Sequence, residues 1–198
     1  MSSIQSTSSP SLLGNLAQAL ELLRQTCAAF TNCPFYYGST DGAIEFPAGF
    51  VQMINSESAG FPSREFDQNG NELVSTLYES LVQLTFVTKQ GRTERTKIAN
   101  RSLAFRIVSN LMNAPSNESF KTHWEINRRK INTDLRADVL RVGQIRDISD
   151  FGLKRGSGNY NTLQFDFFLS VVDTLQLAVP CFTPDTGPDF RVRVERGN

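Results

Sequence analysis

The stretch LVSTLYESLVQLTFVT, residues 73–88, decides the fold. Successive side chains of a strand point to opposite faces of a sheet, and β-branched and aromatic residues favour strands. Five apolar side chains of this stretch share one parity: Val74, Tyr78, Val82, Leu84 and Phe86. The other parity mixes leucines with Ser75, Glu79 and Gln83. The pattern predicts a long strand with one mostly apolar face.

A second stretch, YNTLQFDFFLSVVD at residues 160–173, alternates in the same way. Its apolar parity contains Leu163, Phe165, Phe167, Leu169 and Val171. Asp166 has the opposite parity and is predicted to point away from the core. A shorter apolar run at 139–148 predicts a strand that forms a hairpin with this one across a break at 150–159. Residues 190–196 also alternate, as an exposed edge strand does.

Three segments carry the three- and four-residue apolar spacing of a helix. Ser9 and Pro10 predict the start of the first helix, and Asn32 and Pro34 its end. The second helix is predicted from Thr93, and the third restarts after Ala114-Pro115. The three apolar stripes are Leu12, Leu16, Leu20, Leu23 and Cys27; Ile98, Leu103, Ile107, Val108, Leu111 and Met112; and Phe120, Trp124, Ile131 and Leu135.

These elements predict an α+β fold, in which helices flank one face of an antiparallel sheet and long loops or arms extend from it. Residues 1–10 are predicted to be a flexible N-terminus, and 11–198 a single domain. Glycine, proline, serine and asparagine are dense between residues 35 and 71, which predicts a long loop insert. Its short apolar runs at 35–37 and 50–54 are either strands or extended loop arms, and 56–71 is a long loop or a hairpin.

Composition excludes some classes of protein. The chain has 198 residues, of which 39% are hydrophobic and 20% charged, and no apolar run approaches the roughly 20 residues that cross a bilayer. Twenty basic and twenty acidic residues cancel. Residues 1–90 carry three basic and eight acidic side chains, a net charge of −5, so the remainder carries seventeen and twelve, a net charge of +5. Such halves either attract further copies head to tail or mix within one fold.

No motif carries recognisable chemistry, so we predict no enzyme, no cofactor and no metal. Cys27, Cys33 and Cys181 are odd in number and form no Cys-x-x-Cys pair, which is typical of buried thiols rather than a zinc site. Gly156-Ser-Gly158 lacks a following Lys-Ser or Lys-Thr and is interpreted as a hairpin connection. Asp134 and Asp138 lie where helix gives way to strand and are interpreted as solvated.

Basic residues form the candidate contact sites. A segment from residue 92 to 106 and a cluster at 128–130 could meet a neighbouring subunit or nucleic acid. A further basic pair falls in the break between the last two predicted strands. The candidates are Arg92, Arg95, Arg101, Arg128, Arg129 and Lys130, with Lys154 and Arg155 at the hairpin tip.

The order of elements resembles the tail-terminator, or tail-completion and neck, proteins of tailed bacteriophages. The resemblance rests on the strand YESLVQLTFV at 78–87, the turn at Gly91-Arg92, the helix at 99–108 and the strand LQFDFFL at 163–169. It covers roughly residues 73–179 and is one of pattern. The longer segment at 35–71 and the N-terminal helix depart from it.

The resemblance implies a virion structural protein that assembles in the host cytoplasm and functions in the neck of the virion. It would form a hexameric ring that caps the tail tube, ends tube polymerisation and joins the tube to the head connector or stopper. The first two basic groups would then serve subunit or DNA-channel contacts without sequence specificity. Lys154 and Arg155 would contact the adjacent ring.

Two other classes remain open at this point. One is a small-ligand enzyme that uses Cys33 or His123 in a pocket beneath the loops of 35–49. The other is a nucleic-acid-binding module based on Arg128–Lys130 with Trp124 nearby for stacking. The acidic residues Glu94, Glu125 and Asp134 interrupt its basic clusters.

Overall fold

A computed structural model describes residues 12–38, 44–149 and 160–177. Its helices are α1 (Leu12–Thr31), α2 (Glu94–Met112) and α3 (Glu118–Ile131), with a short 3-10 helix at Ala114–Ser116 between the last two. Its strands are β1 (Phe35–Tyr37), β2 (Ala48–Ser58), β3 (Ser63–Phe66), β4 (Glu72–Lys89), β5 (Arg136–Val142), β6 (Arg146–Asp147) and β7 (Tyr160–Leu177). The predicted α+β class is confirmed.

The strands form one sheet in the order β1-β2-β4-β7-β5, with β3 paired to β4 and β6 paired to β7. Every pair is antiparallel except β1 with β2, which is parallel. The two stretches that predicted the fold are its central strands. β4 and β7 pair without a register shift from Glu72 opposite Leu177 to Lys89 opposite Tyr160.

The predicted alternation of both central strands is confirmed. Their apolar parity is buried under the helices, with Leu84, Phe165, Phe167 and Leu169 fully enclosed. Asp166 lies on the opposite, open face, where Arg146 Nη2 donates to both of its carboxylate oxygens at 2.8 and 2.9 Å. One face of the sheet therefore forms the core.

The helices begin where the sequence supplies caps. Thr93 and Thr96 form a reciprocal capping box at the start of α2, and the Asn117 side chain accepts from two backbone N–H groups at the start of α3. α1 and α3 lie antiparallel, because Phe30 contacts Phe120 at one end while Asn132 Nδ2 donates to Gln18 at 3.0 Å at the other.

One residue of the predicted α2 stripe is misplaced. Ile98 is 65% exposed, whereas Ala104, Val108 and Leu111 are buried. Six residues at about 100° per residue put Ile98 roughly 120° around the helix from Ala104. The prediction failed because Ile98 is apolar without sharing the buried face.

The prediction of one long loop insert at 35–71 was wrong, because strands occupy most of its described part. β1, β2 and β3 lie there, and β2 pairs with β4 from Ala48 to Ser58 around a bulge at Ile54. A turn joins β3 to β4, in which Asp67 Oδ1 accepts from the N–H groups of Asn69 and Asn71 at 2.8 Å. Pairing along β4 supplies the hydrogen bonds that composition alone did not reveal.

Several predictions fall outside the described residues. They concern the flexible N-terminus with its Ser9-Pro10 helix start, the hairpin tip with Lys154, Arg155 and Gly156–Gly158, the thiol of Cys181 and the edge strand at 190–196. Within the described part, no helix has the length and apolar character needed to span a bilayer.

Candidate functional site

The sheet continues past the end of the helix layer. We call this extension the overhang and define it as residues 55–58 of β2, 63–66 of β3, 72–79 of β4 and 174–177 of β7. None of its described side chains is buried, although β2 is packed before residue 52, β4 from residue 80 onward and β7 before residue 174. The overhang therefore exposes both faces of a β-sheet.

Large apolar side chains are exposed on the overhang and beside it. Phe66 in β3 is 72% exposed, and Leu77 in β4 and Leu175 in β7 are each more than a third exposed. Phe61, in the connection between β2 and β3, is fully exposed. Phe66 and Leu175 share the helix-side face of the sheet, and Leu77 lies on the open face. Exposed apolar groups of this kind mark interaction surfaces. The overhang is the candidate functional site.

The first predicted basic group lies at the other end of the sheet. Arg92 and Arg95 are exposed at the start of α2, which follows the end of β4. Arg101 Nη2 forms an ion pair with Asp147 at 2.6 Å and its guanidinium lies 6.0 Å from the Phe105 ring centre. Arg101 is thus partly engaged within the chain, whereas Arg92 and Arg95 form no ion pair with a described residue.

In the second predicted basic group, Arg128 bonds within the chain, whereas Arg129 and Lys130 are exposed. Arg128 binds Glu125 and donates to the Thr133 carbonyl at 2.6 Å, so its guanidinium fastens the turn between α3 and β5. Glu125 raises the pKa of Arg128, and Arg128 lowers that of Glu125. Arg129 and Lys130 are exposed and form no ion pair within the described part of the chain.

The two basic groups do not share a surface. Arg128 lines a cleft together with Val172 of β7, and Val172 is the register partner of Leu77 in β4. Arg92 lies three residues after Lys89, the last residue of β4. Leu77 and Lys89 are twelve residues apart in one continuous strand. At about 3.3 Å per residue these two strand positions are roughly 40 Å apart. Arg92 and Arg128 therefore lie toward opposite ends of the sheet.

The cleft beside Arg128 was not predicted from the sequence. It has a volume of about 470 Å³ and is lined by Asn15, Arg128, Asn132, Arg136 and Thr174, among others. It brings together the start of α1, the end of α3 and the outer edge of β7. Residues so far apart in sequence gave no local signal, because only the antiparallel packing of α1 on α3 assembles them.

Asp173 lies at the boundary between the covered sheet and the overhang. It is 4% exposed, and Asn15 Nδ2 donates to its Oδ1 at 2.7 Å. Burial raises the pKa of Asp173, which the hydrogen bond from Asn15 only partly offsets. The sequence did hold a signal for this position, since 173 continues the buried parity of residues 163–171.

Among the described residues, no hydrogen bond joins the thiols of Cys27 and Cys33 to His123. Cys27 and Cys33 are both buried, and burial raises the pKa of each thiol. Cys33 Sγ donates to the Thr31 carbonyl at 3.5 Å, and no hydrogen bond joins it to His123 in the described residues. Within those residues, no group of His, Cys, Asp and Glu is placed to hold a metal ion.

A polar cluster attaches the edge strand β1 to α1. Glu21 accepts from Arg24 Nη2 at 2.6 Å and from the Tyr37 hydroxyl, and Arg24 Nη1 donates to the Phe35 carbonyl at 2.9 Å. Arg24, with Tyr37 and Gln25 assisting, lowers the pKa of Glu21 to about 2. Burial and the neighbouring Glu21 raise that of Tyr37 to about 12. The cluster is structural because its members satisfy one another.

Comparisons with known proteins leave the family open. No protein-family model matches the chain, and no curated protein matches it. One solved structure aligns with 79% of this chain and 94% of its own at 13% identity, with a TM-score of 0.37. A similarity this low carries no argument about fold or function.

Proposed function

We propose that this protein is a virion structural protein of a tailed bacteriophage. It forms a ring at the head–tail junction that caps the tail tube, ends its polymerisation and joins it to the connector. It assembles in the host cytoplasm and functions by shape, without catalysis or a cofactor. The overhang is the observation that carries the proposal, together with the sequence resemblance to tail-terminator proteins.

The overhang supports assembly because its apolar groups have no cover within the described chain. Burying apolar surface is worth about 25 cal/mol per Å², and a second chain that covers Leu77 on the open face, or Phe66 and Leu175 on the other face, would gain that energy. Contacts between two different patches of identical subunits close into a ring when the rotation per subunit permits. A hexamer is the ring that the resemblance implies.

The remaining partners follow from the same proposal. The two ends of the sheet would face different neighbours, which suits a subunit placed between the tail tube protein and the head connector or stopper. Arg92 and Arg95 lie at the end opposite the overhang, so we assign them to a neighbouring ring or to passing DNA. Lys154 and Arg155 keep their proposed role at the adjacent ring.

Size-exclusion chromatography with light scattering tests the proposal. We expect a species with the mass of six chains, and negative-stain images of it should show rings with a central opening. Added to purified tail tubes, these rings should stop further elongation. A stable monomer that neither assembles alone nor binds tube ends would overturn the proposal.

A matched pair of variants tests whether the overhang is responsible. Leu77→Ser should lower the fraction of rings at a given concentration, because it removes an exposed apolar side chain from the open face of the overhang. Ile98→Ser removes a more exposed apolar side chain from α2, outside the overhang, and should leave assembly unchanged. Equal effects of the two variants would count against the overhang as the contact.

A further inference from the structure

We infer that the ring contact pairs an acidic patch on the open face of one copy's overhang with a basic corner of the next copy. The acidic patch consists of Glu57 and Glu79. The basic corner consists of Arg129, Lys130 and Arg136. The inference rests on the proposed function and deepens it, since it names the two surfaces that meet.

The acidic patch is a directly opposed pair of like charges. Glu57 of β2 and Glu79 of β4 are register partners, so their side chains lie on the same face. Directly opposed residues have Cβ atoms about 4.5–5.5 Å apart, and like charges in that position are destabilising. Such a pair is unfavourable unless a cation approaches it.

No described residue of the same chain supplies that cation. Neither Glu57 nor Glu79 forms an ion pair with a described residue, and Glu57 accepts only from Asn55 Nδ2 at 2.6 Å. A third acid lies in the same row of the sheet. Glu79 is the register partner of Ser170 in β7, and Ser170 is the register partner of Asp138 in β5. The row across the sheet thus holds three carboxylates.

Apolar neighbours make this patch a better docking surface than isolated acids. Leu77 lies on the same face two residues from Glu79, opposite Val172, and is 39% exposed. A partner that covered these side chains would exclude water from the glutamates as well. Ion pairs strengthen when they are shielded from solvent.

The basic corner is formed where α3 ends and β5 begins. Arg129 and Lys130 are in the last turn of α3, and Arg136 is the first residue of β5. All three are exposed and form no ion pair within the described part of the chain. Asp134 and Asp138 lie close to this corner, and Glu125, which is already bound to Arg128, also attracts Arg129.

The acidic patch lies on the opposite side of the sheet from the two helix residues of the basic corner, whereas Arg136 lies on the open face, two strand spacings from Glu79. Three strand spacings separate Glu57 from the β5 edge, which is about 14 Å at 4.8 Å per spacing. Arg129 and Lys130 lie in the helix layer on the other side of the sheet. Because the patch and the corner are different surfaces, each copy can bind one neighbour with each, as a closed ring requires.

Charge reversal tests the pairing. Glu57→Lys/Glu79→Lys reverses the patch, and Arg129→Glu/Lys130→Glu/Arg136→Glu reverses the corner. Each variant alone should associate at least tenfold more weakly than the wild type in light scattering at low salt. An equimolar mixture of the two should regain the six-chain mass, because reversed and native surfaces then alternate around an even-numbered ring.

Two controls match the change in net charge. Glu45→Lys/Glu118→Lys reverses two exposed acids outside the overhang, and Arg92→Glu/Arg95→Glu/Arg106→Glu reverses three exposed bases on the α2 side. Both should form rings as the wild type does. Circular dichroism melts should show that all four variants fold.

The outcomes separate this inference from the proposed function. Rings that persist in both reversed variants, or reversed variants that stay monomeric when mixed, overturn the pairing while the ring itself stands. Loss of assembly in the controls also overturns it, because net charge rather than the two surfaces would then govern association. A wild-type chain that never assembles overturns both proposals.

Discussion

The covered half of the sheet and the overhang consist of the same two strands in different surroundings. In the covered half, β4 and β7 bury Leu84, Phe165 and Phe167, whereas in the overhang the same parity leaves Leu175 exposed. Helix geometry explains the difference. A helix advances about 1.5 Å per residue and a strand about 3.3 Å. The 20 residues of α1 therefore span about half the length of the 18 residues of β4.

The largest expected effect comes from deleting one aromatic ring in each region. Phe165→Ala should lower the free energy of unfolding by about 3–5 kcal/mol, because it opens a cavity in a fully enclosed site. Phe66→Ala should change it by less than about 0.5 kcal/mol, as exposed positions usually do. Urea denaturation of monomeric protein measures both values. Similar losses would mean that the overhang is packed after all.

A smaller effect is expected where β1 is fastened to the covered half. Because Arg24 holds the pKa of Glu21 near 2, the carboxylate stabilises the fold above its unfolded pKa of about 4.5 and loses this contribution as the pH falls toward 2. After allowance for solvent screening the contribution is about 1 kcal/mol. Denaturation from pH 6 to 2.5 should show a steeper decline for wild type than for Glu21→Gln, and parallel curves would refute this role.

One buried hydroxyl should be removable with a gain in stability. Thr162 is 1% exposed, and its Oγ1 has no hydrogen-bond partner among the described residues. Thr162→Val keeps the shape and removes the unsatisfied group, so we expect a gain of about 1 kcal/mol in the free energy of unfolding. Thr76→Val, in the partly exposed overhang, is the matched control and should give a smaller change. A loss of stability in Thr162→Val would indicate an unrecognised partner.

The smallest effect is expected at the boundary of the two regions. Burial raises the pKa of Asp173, so its ionised form opposes folding at neutral pH, and this penalty shrinks as the pH falls through the folded pKa toward 3.8. Asp173→Asn keeps an oxygen for Asn15 and should be slightly more stable than wild type at pH 7. The difference should vanish near pH 4 in thermal melts. A variant less stable at pH 7 would assign the carboxylate a structural role.

The sequence predicted elements whose pattern is local and repeated. The alternation of residues 73–88 and 160–173 identified both central strands and their buried face, and capping residues such as Thr93 and Asn117 mark helix starts that the structure contains. The predicted α+β class followed from these features. Each depends on neighbours within a few positions, which is the range that a sequence pattern reports.

Contacts between distant residues were not predictable in this way. At 35–37 the sequence left a strand and an extended loop arm open, because the parallel pairing of β1 with β2 depends on Gly49, where a Cβ atom would overlap the ring of Phe35. The opposed pair of Glu57 and Glu79 could be found only from the register of β2 against β4, and the cleft around Arg136 only from the pairing of β5 with β7. The described basic candidates other than Arg128 are exposed, as expected of contact residues. The sequence did not reveal that Arg128 donates to the turn after α3.

The unbroken pairing of β4 with β7 links the overhang to the packed half of the sheet. A slip of one residue in register would turn every side chain of a strand to the opposite face, and the packed aromatic residues of the covered half forbid such a slip. The packed half thus determines to which face each overhang residue of β4 and β7 points, even where nothing packs on that residue locally. Side chains of the overhang can consequently be exchanged to alter what they recognise, while the strand that presents them keeps its orientation.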